Sequence, residues 1–420
     1  MSSHKTLIKN KGFTLSAFSI AILAISSTSQ NASAGITESI ENALKFGQAD
    51  AKYGQIKFDL RYRYENANTV DTTKETANAD TLRWRIGYLT PKFAGLQAYA
   101  EYEGNQDVFT NNYDSKRNNK TQYDVIADPQ QHELNQLWFT YTGIADTEVK
   151  VGRQRIKIDN DRFIGNVGWR QMEQTFDAVT VSNKSLPNTT VHAGYIINAR
   201  DIFSKENDMD SQFVNIGYDI DGLGKLSGYT YLIDFQEAPS QNGNSTQTYG
   251  FRFDGGYKLT DKVEALYTAE YAIQKDLADN PLNYEVDYIN VMGGISAYGV
   301  TLKAAMEQLG GQEGKGFDTP LATKHAFQGW ADIFLGATPA DGVRDTNVSL
   351  ATKIKGVKLM GVYHDFDDDT GSIDYGQEYD FVVAKKFGKH YSLLAKYAYY
   401  DANTFSTDTQ KFWIQGGISY

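Results

Sequence analysis

Residues 410–420 read Gln-Lys-Phe-Trp-Ile-Gln-Gly-Gly-Ile-Ser-Tyr, with an aromatic as the final residue. Counted back in twos from Tyr420, one face carries Ile418, Gly416, Ile414 and Phe412. The other carries Ser419, Gly417, Gln415, Trp413 and Lys411. An apolar face with an aromatic at each end, a mostly polar opposite face and a length of about ten residues match a tilted strand crossing a bilayer, lipid on one side and water on the other. An amphipathic edge strand of a soluble sheet would read the same way in isolation. The sequence upstream separates the two.

From about Gln55 onward the same unit recurs. Alternating stretches occupy 55–65, 80–89, 95–104, 132–143, 147–155, 172–183, 189–199, 210–219, 225–235, 247–258, 262–273, 285–296, 300–308, 345–353, 357–366, 377–387, 391–400 and 410–420. The connector after every second stretch is short, as at 143–146, 258–261, 355–356 and 388–390. The others are long, as at 66–79, 105–131, 156–171 and 309–344. Short turns on one rim and long loops on the other predict an all-β protein, a transmembrane antiparallel β-barrel of about eighteen strands over residues 55–420, with short periplasmic turns and long extracellular loops. A β-sandwich or β-helix has no reason to alternate its loop lengths.

The N-terminal region and the composition agree with export. Lys5, Lys9 and Lys11 precede an apolar run from Phe13 to Ile25, and Ala32-Ser33-Ala34 offers a cleavage site, so residues 1–34 are expected to be a secretory signal peptide. Residues 35–54 repeat apolar positions at helical spacing (Ile36, Ile40, Ala43, Leu44, Phe46) and are expected to be a periplasmic leader or short amphipathic helix. No stretch is long and apolar enough for a helical span. With Cys 0, a disulfide framework and a thiolate metal site are both excluded. Tyr 28, Phe 22 and Gly 37 beside Pro 7, at a mean hydropathy of -0.49, suit strands with one apolar face around a polar lumen. The formal net charge is -11; without the three signal lysines, 38 basic residues face 52 acidic ones, and nucleic acid is excluded as a partner.

Strand parity separates lipid from lumen. Phe58, Leu60, Tyr62 and Tyr64 oppose Asp59, Arg61, Arg63 and Glu65; Leu82, Trp84, Ile86 and Tyr88 oppose Arg83 and Arg85. An Arg or Lys aimed at the bilayer midplane costs about 2–4 kcal/mol, so the charged parity is the lumen. It carries Arg61, Arg63, Arg83, Arg85, Lys150, Arg252, Lys396 and Lys411, and the first four form one guanidinium patch on adjacent strands. Such a patch suits carboxylate or phosphate contact and an anion-selective pore. Acidic residues share the lumen face elsewhere (Asp59, Glu65, Glu101, Glu103, Asp254, Glu264, Glu270, Glu307), and the alternative is cross-strand pairing with no selectivity. Loop 156–171 mixes cations, amides, glycines and aromatics; folded inward it would narrow the pore, with Arg162 and Arg170 as contacts and Trp169 as a stacking platform for sugar. Arg153 and Arg155 share parity with lipid-facing Val149 and Val151, which places them at a rim or beyond a bulge, within reach of lipid A phosphates.

Several segments resemble one family. Gly152-Arg153-Gln154, Asp161 to Gly165, Trp169-Arg170-Gln171 and Phe176 to Val179 look like the alginate-export family of outer-membrane barrels. Gln328 to Asp332 and Val362 to Phe366 are similar to its C-terminal half. The resemblance implies an eighteen-stranded monomeric barrel and a cationic conduit for an anionic polysaccharide. The strand 410–420 likewise resembles the tag by which outer-membrane proteins engage the barrel-assembly machinery. Outer-membrane lipid and lipopolysaccharide follow as the surroundings of such a barrel.

Enzyme signatures are missing: no H-E-x-x-H, no G-x-S-x-G, and Gly310–Gly316 has the wrong spacing for a phosphate loop. Asp365 to Gly371 is similar to a calcium loop, but its glycine falls one place late and Gly376 replaces the closing Glu. No cofactor and no metal are expected. The sequence therefore points to a diffusive channel for anionic solutes or an anionic polysaccharide; a general porin without anion preference, or a structural or adhesive barrel with a filled lumen, are the other readings.

Overall fold

The computed structural model describes residues 30–48, 50–70, 73–236, 243–312 and 314–420. Contacts divide the chain into residues 1–53 and 54–420. In the first unit a helix, α1 (Gln30–Leu44), runs through the expected cleavage point after Ala34 and ends in a turn over residues 45–47. The apolar core of the expected signal lies outside the described residues.

The second unit is a closed antiparallel barrel of eighteen strands. In chain order these are β1 (Gln55–Thr69), β2 (Ala77–Leu89), β3 (Leu96–Asn112), β4 (Gln131–Tyr141), β5 (Thr147–Gln154) and β6 (Thr175–Asn183). Then follow β7 (Thr189–Arg200), β8 (Glu206–Ile220), β9 (Gly224–Ile233), β10 (Thr246–Thr260), β11 (Val263–Asp276), β12 (Glu285–Ala297) and β13 (Val300–Leu309). A small hairpin, β14 (Gly311–Gln312) with β15 (Lys315–Gly316), belongs to a loop. The barrel resumes with β16 (Val343–Ile354), β17 (Val357–Asp367), β18 (Asp374–Phe387), β19 (Tyr391–Ala402) and β20 (Thr409–Ser419). Every barrel strand overlaps a stretch expected from the sequence. Closure is made by the opening quotation itself: β20 pairs antiparallel with β1, Ile418 opposite Leu60 and Trp413 opposite Glu65. No edge is left, so every ladder position can be satisfied within the bilayer.

Exposure confirms the facing. Phe139 (61%), Phe251 (53%), Phe381 (55%) and Leu350 (55%) lie open on the outer surface, whereas Arg63 and Glu65 are fully buried inside. Placing Arg at 251 should therefore cost about 2–4 kcal/mol and deplete the folded, heat-modifiable form in membranes. Normal yield of Phe251→Arg would overturn the assignment.

Two local departures shape the lumen. The β4–β5 ladder has only five pairs, ending at Leu137–Arg153, because the chain leaves the wall after Gln154. Gly152 marks this point: its φ is +114, and a Cβ would meet the Leu137 carbonyl at 2.3 Å. The second departure is that the barrel is not an empty tube. Phe163, Ile164, Tyr229, Tyr231, Tyr288, Phe317 and Leu321 are buried together inside it. Phe163, Ile164, Phe317 and Leu321 come from loops that fold inward against Tyr229 and Tyr231 of β9 and Tyr288 of β12, and this filling replaces much of the open aqueous interior expected for eighteen strands.

Candidate channel constriction

The segment between β5 and β6, residues 155–174, crosses the lumen. Asp159 meets the wall at β8 and β9, where its carboxylate accepts from Asn215 Nδ2 (2.7 Å) and Lys225 Nζ (2.8 Å). Next, Arg162 donates to Glu307 Oε1 of β13 (2.7 Å) and to Gln328 Oε1 (3.2 Å), while Phe163 packs between Tyr229, Tyr231 and Tyr288. The chain then returns to β1. Arg61 donates to the Gly168 carbonyl (2.9 Å), to the Arg170 carbonyl and to Gln171 Oε1 (2.8 Å); Arg63 donates to the Trp169 carbonyl (2.5 Å). This is a crossbar fixed to both walls.

The loop 310–342 locks onto it. Gly165 N–H donates to Leu321 O (2.9 Å), and Thr323 N–H to Asp161 O (3.0 Å). Its turn at Gln328 to Asp332 presses on the wall: Ala331 N–H donates to Glu378 Oε1 (2.7 Å) and Trp330 N–H to Asp380 Oδ2 (3.1 Å). Gly329 has φ +78, and a Cβ there would lie 2.3 Å from the Glu378 carboxylate, which explains glycine at this position. A third loop contributes Asp128, which accepts from Gln171 N–H (2.7 Å) and pairs with Arg63 (3.3 Å).

Where the three loops meet, charge is densely paired. Arg170 binds both Glu65 oxygens (3.1 and 3.2 Å), Asp332 (3.0 Å) and, more distantly, Asp128 (3.8 Å). Burial alone would lower its pKa, but Glu65, Asp128 and Asp332 raise it, so it stays charged. Asp332 also accepts from Lys411 Nζ (2.9 Å) and from His325 Nδ1 (2.5 Å). Burial works against its ionised form and is outweighed by the imidazole N–H, Lys411 and Arg170, so its pKa is well depressed. On the other ring nitrogen, Lys396 Nζ lies 2.7 Å from His325 Nε2 and can only donate. His325 is thus neutral with its proton on Nδ1; burial, with Lys396 and Arg170 against Asp332, takes its pKa down to about 3. Lys396 itself lies over Trp330 (3.7 Å) and Trp169 (4.3 Å), with Trp413 at 5.6 Å, a desolvated cation held by aromatic faces.

The residues expected from the sequence meet different fates. Arg61, Arg63, Arg162, Trp169, Arg170 and Lys396 all converge on the crossbar and its anchors. Arg83 pairs with Asp59, and Arg85 with Glu103 (2.5 Å) and Glu173 (3.4 Å). Trp169 stacks on His325 (centroids 4.4 Å, 6°) with Arg63 over its ring at 4.2 Å, so it serves packing rather than offering a bare platform. Lys150 lies apart, facing the lumen over Trp138 (5.0 Å) beside Glu148 (3.5 Å). Arg252 is also distant, held by Glu270 and Asp254 (both 2.6 Å). Arg153 turns to Asp177 and Glu206, while Arg155 points inward to Glu173 and Glu101, filling the gap beside β4 together with Asn135. The calcium-like stretch is a turn in which Asp368 accepts from Ser372 and Ile373 N–H.

His325, Asp332, Asp128 and Trp330 were not singled out from the sequence as site residues. Trp330 and Asp332 nevertheless sit in the quoted segment Gln328 to Asp332, so a signal existed. Asp128 and His325 carry none, because only the inward fold of their loops gives them partners.

A closed eighteen-stranded barrel with an apolar outer belt and loops folded into its lumen is the construction of an outer-membrane channel for solutes. Solved structures share the fold. Pseudomonas aeruginosa OccK9 (OpdG) superposes with TM-score 0.70 at 13% identity, covering 87% of this chain and 98% of its own. P. aeruginosa OpdK, solved with vanillate, gives 0.69 at 12%, and Acinetobacter baumannii OccAB2 0.69 at 13%, each with the same coverages. At these identities the likeness establishes fold. No curated protein matches in sequence. The alginate export family matches residues 52–301, more than half of the chain, and the protein belongs to that family, in the outer membrane of a Gram-negative cell.

Proposed function

We propose that this barrel passes anionic solutes, an anionic saccharide among them, by diffusion and without covalent chemistry, through a lumen narrowed by the crossbar. One observation carries the reading. Arg61 sits directly opposite Arg83 in the β1–β2 ladder, and its hydrogen-bond partners among the described residues are neutral oxygens: two carbonyls and one amide. The crossbar is therefore fastened by a cation without a carboxylate of its own, beside Arg63, Arg83 and Arg85. In a low-dielectric wall such a field reaches into the pore.

The test is the reversal potential of the purified protein under a KCl gradient. Wild type should favour anions, and Arg61→Gln or the pair Arg83→Gln with Arg85→Gln should weaken that preference. The effect should fade with salt as the Debye length falls from about 10 Å at 0.1 M to about 3 Å at 1 M. Cation selectivity, or no shift in either variant, would sink the proposal. The dense pairing of the other arginines supports a second reading, a channel without anion preference; a filled structural barrel would instead show negligible conductance.

The surroundings follow from the outer face: lipid and lipopolysaccharide around a monomeric barrel. Assembly would proceed through strand 410–420. Deleting Tyr420 should leave unfolded protein in the periplasm, and normal heat-modifiable barrel from the deletion would remove that role.

A further inference from the structure

At the extracellular mouth a partly open cavity of about 330 Å³ lies between the wall and the loop 310–342. Its floor is apolar, built by Phe235 with Pro320 and Leu321. Its rim is polar, with Asp201, Lys324 and Asn244 on three separate loops. None of these residues belongs to the crossbar's ion network.

The rim offers both donors and acceptors. Asp201 Oδ1 accepts from Phe203 N–H (2.8 Å) and Lys205 N–H (3.0 Å), and the carboxylate also accepts from the Asn207 side chain; with about four lone-pair sites it has room for one further donor. Lys324 Nζ donates to Asp318 Oδ1 (3.3 Å) and Gly336 O (2.8 Å), with a third N–H remaining. Charge is nearly cancelled: Asp318 faces both Lys324 and Lys315 (3.8 Å). An anion would meet two carboxylates and an ammonium already engaged. A purely apolar solute would strand the rim groups, at about 1–3 kcal/mol for each one buried without a partner.

We propose that this cavity binds an uncharged saccharide of one or two rings. The ring's C–H face would lie on Phe235, while vicinal hydroxyls donate to Asp201 and accept from Lys324 and Asn244. The volume falls at the small end of the range of ligand pockets, as such a solute requires. The site is independent of the anion preference proposed above, since it shares no residue with the arginine patch.

The experiment is isothermal titration of the full-length purified protein in a sugar-free detergent with glucose, maltose and sucrose, against glucuronate and lysine as charged controls. At least one neutral sugar should bind, and Phe235→Ala and Asp201→Asn should each weaken it by about tenfold, a loss of about 1.4 kcal/mol. Heat-modifiable migration identifies folded variants; should Phe235→Ala misfold, Asp201→Asn and Asn244→Ala decide. No binding of any neutral sugar, equal binding by the folded variants, or tighter binding of glucuronate or lysine would each overturn the proposal. Conductance selectivity is read separately, so either proposal can fail alone.

Discussion

Replacing Arg170 by Ala should release the crossbar: a step up in single-channel conductance together with a loss of heat stability. Among the described residues, Arg170 is the cation that joins all three of Glu65, Asp128 and Asp332, residues on a strand and two loops. Its removal leaves buried carboxylates facing one another without their shared partner. Breaking such a buried pair by deleting one member costs about 3–5 kcal/mol, far more than the pair's net worth. The exposed pair Lys275–Glu285 at the barrel's upper rim is the control, since both side chains are about half open to solvent. Lys275→Ala should leave stability nearly unchanged, because an exposed pair in water contributes little. Thermal loss of heat-modifiable migration and bilayer conductance measure both effects. Equal behaviour of the two variants would mean that Arg170 does not hold the loop.

Acid should loosen the same junction through His325. Released from its site, the imidazole takes up a proton near its ordinary pKa of 6.5; buried against Lys396 it resists protonation down to about 3. The folded value is depressed, so its contribution to the closed loop is complete above 6.5 and declines as pH falls from 6.5 towards 3. The slope is about 1.4 kcal/mol per pH unit within that window. Asp332 acts in the same direction, because its pKa is also depressed and its stabilising charge is lost only at still lower pH. An imidazolium would also place a second donor 2.7 Å from the Lys396 ammonium. Conductance should therefore rise reversibly between pH 6 and pH 4 by these pKa limits. His325→Gln, which keeps a donor and an acceptor without titrating, should flatten the response. A pH-independent wild type, or an undiminished response in His325→Gln, would exclude His325 as the group involved.

The wall was legible because each strand states its own facing. Leu60 and Arg61, or Phe251 and Arg252, alternate between lipid and lumen, and a slip of one residue would drive a charge into the bilayer. The strands outrun the alternating stretches most at β1, β3 and β8, where they extend into segments whose polarity no longer alternates. The crossbar segment stands out by composition, with Arg162, Trp169 and Arg170 in a loop whose mixture of cations, amides, glycines and aromatics is unlike a solvated tip. Its actual contacts were not legible. Arg63 meets Asp128 across 65 positions, and Arg162 meets Glu307 across 145. No local pattern encodes which carboxylate a buried guanidinium will find.

By itself, the sequence determined an outward apolar parity, an inward charged parity, the strand number and the two unlike rims. These rest on a period of two and on the cost of charge in lipid, both local and both large. Tertiary structure alone decided that Arg63 and Arg170 fasten loops, that Trp169 packs on His325, and that Arg61 is left with neutral partners. Pairing inside a lumen depends on how three long loops fold back against walls far away in sequence, and their backbone paths carry no period for a sequence to display.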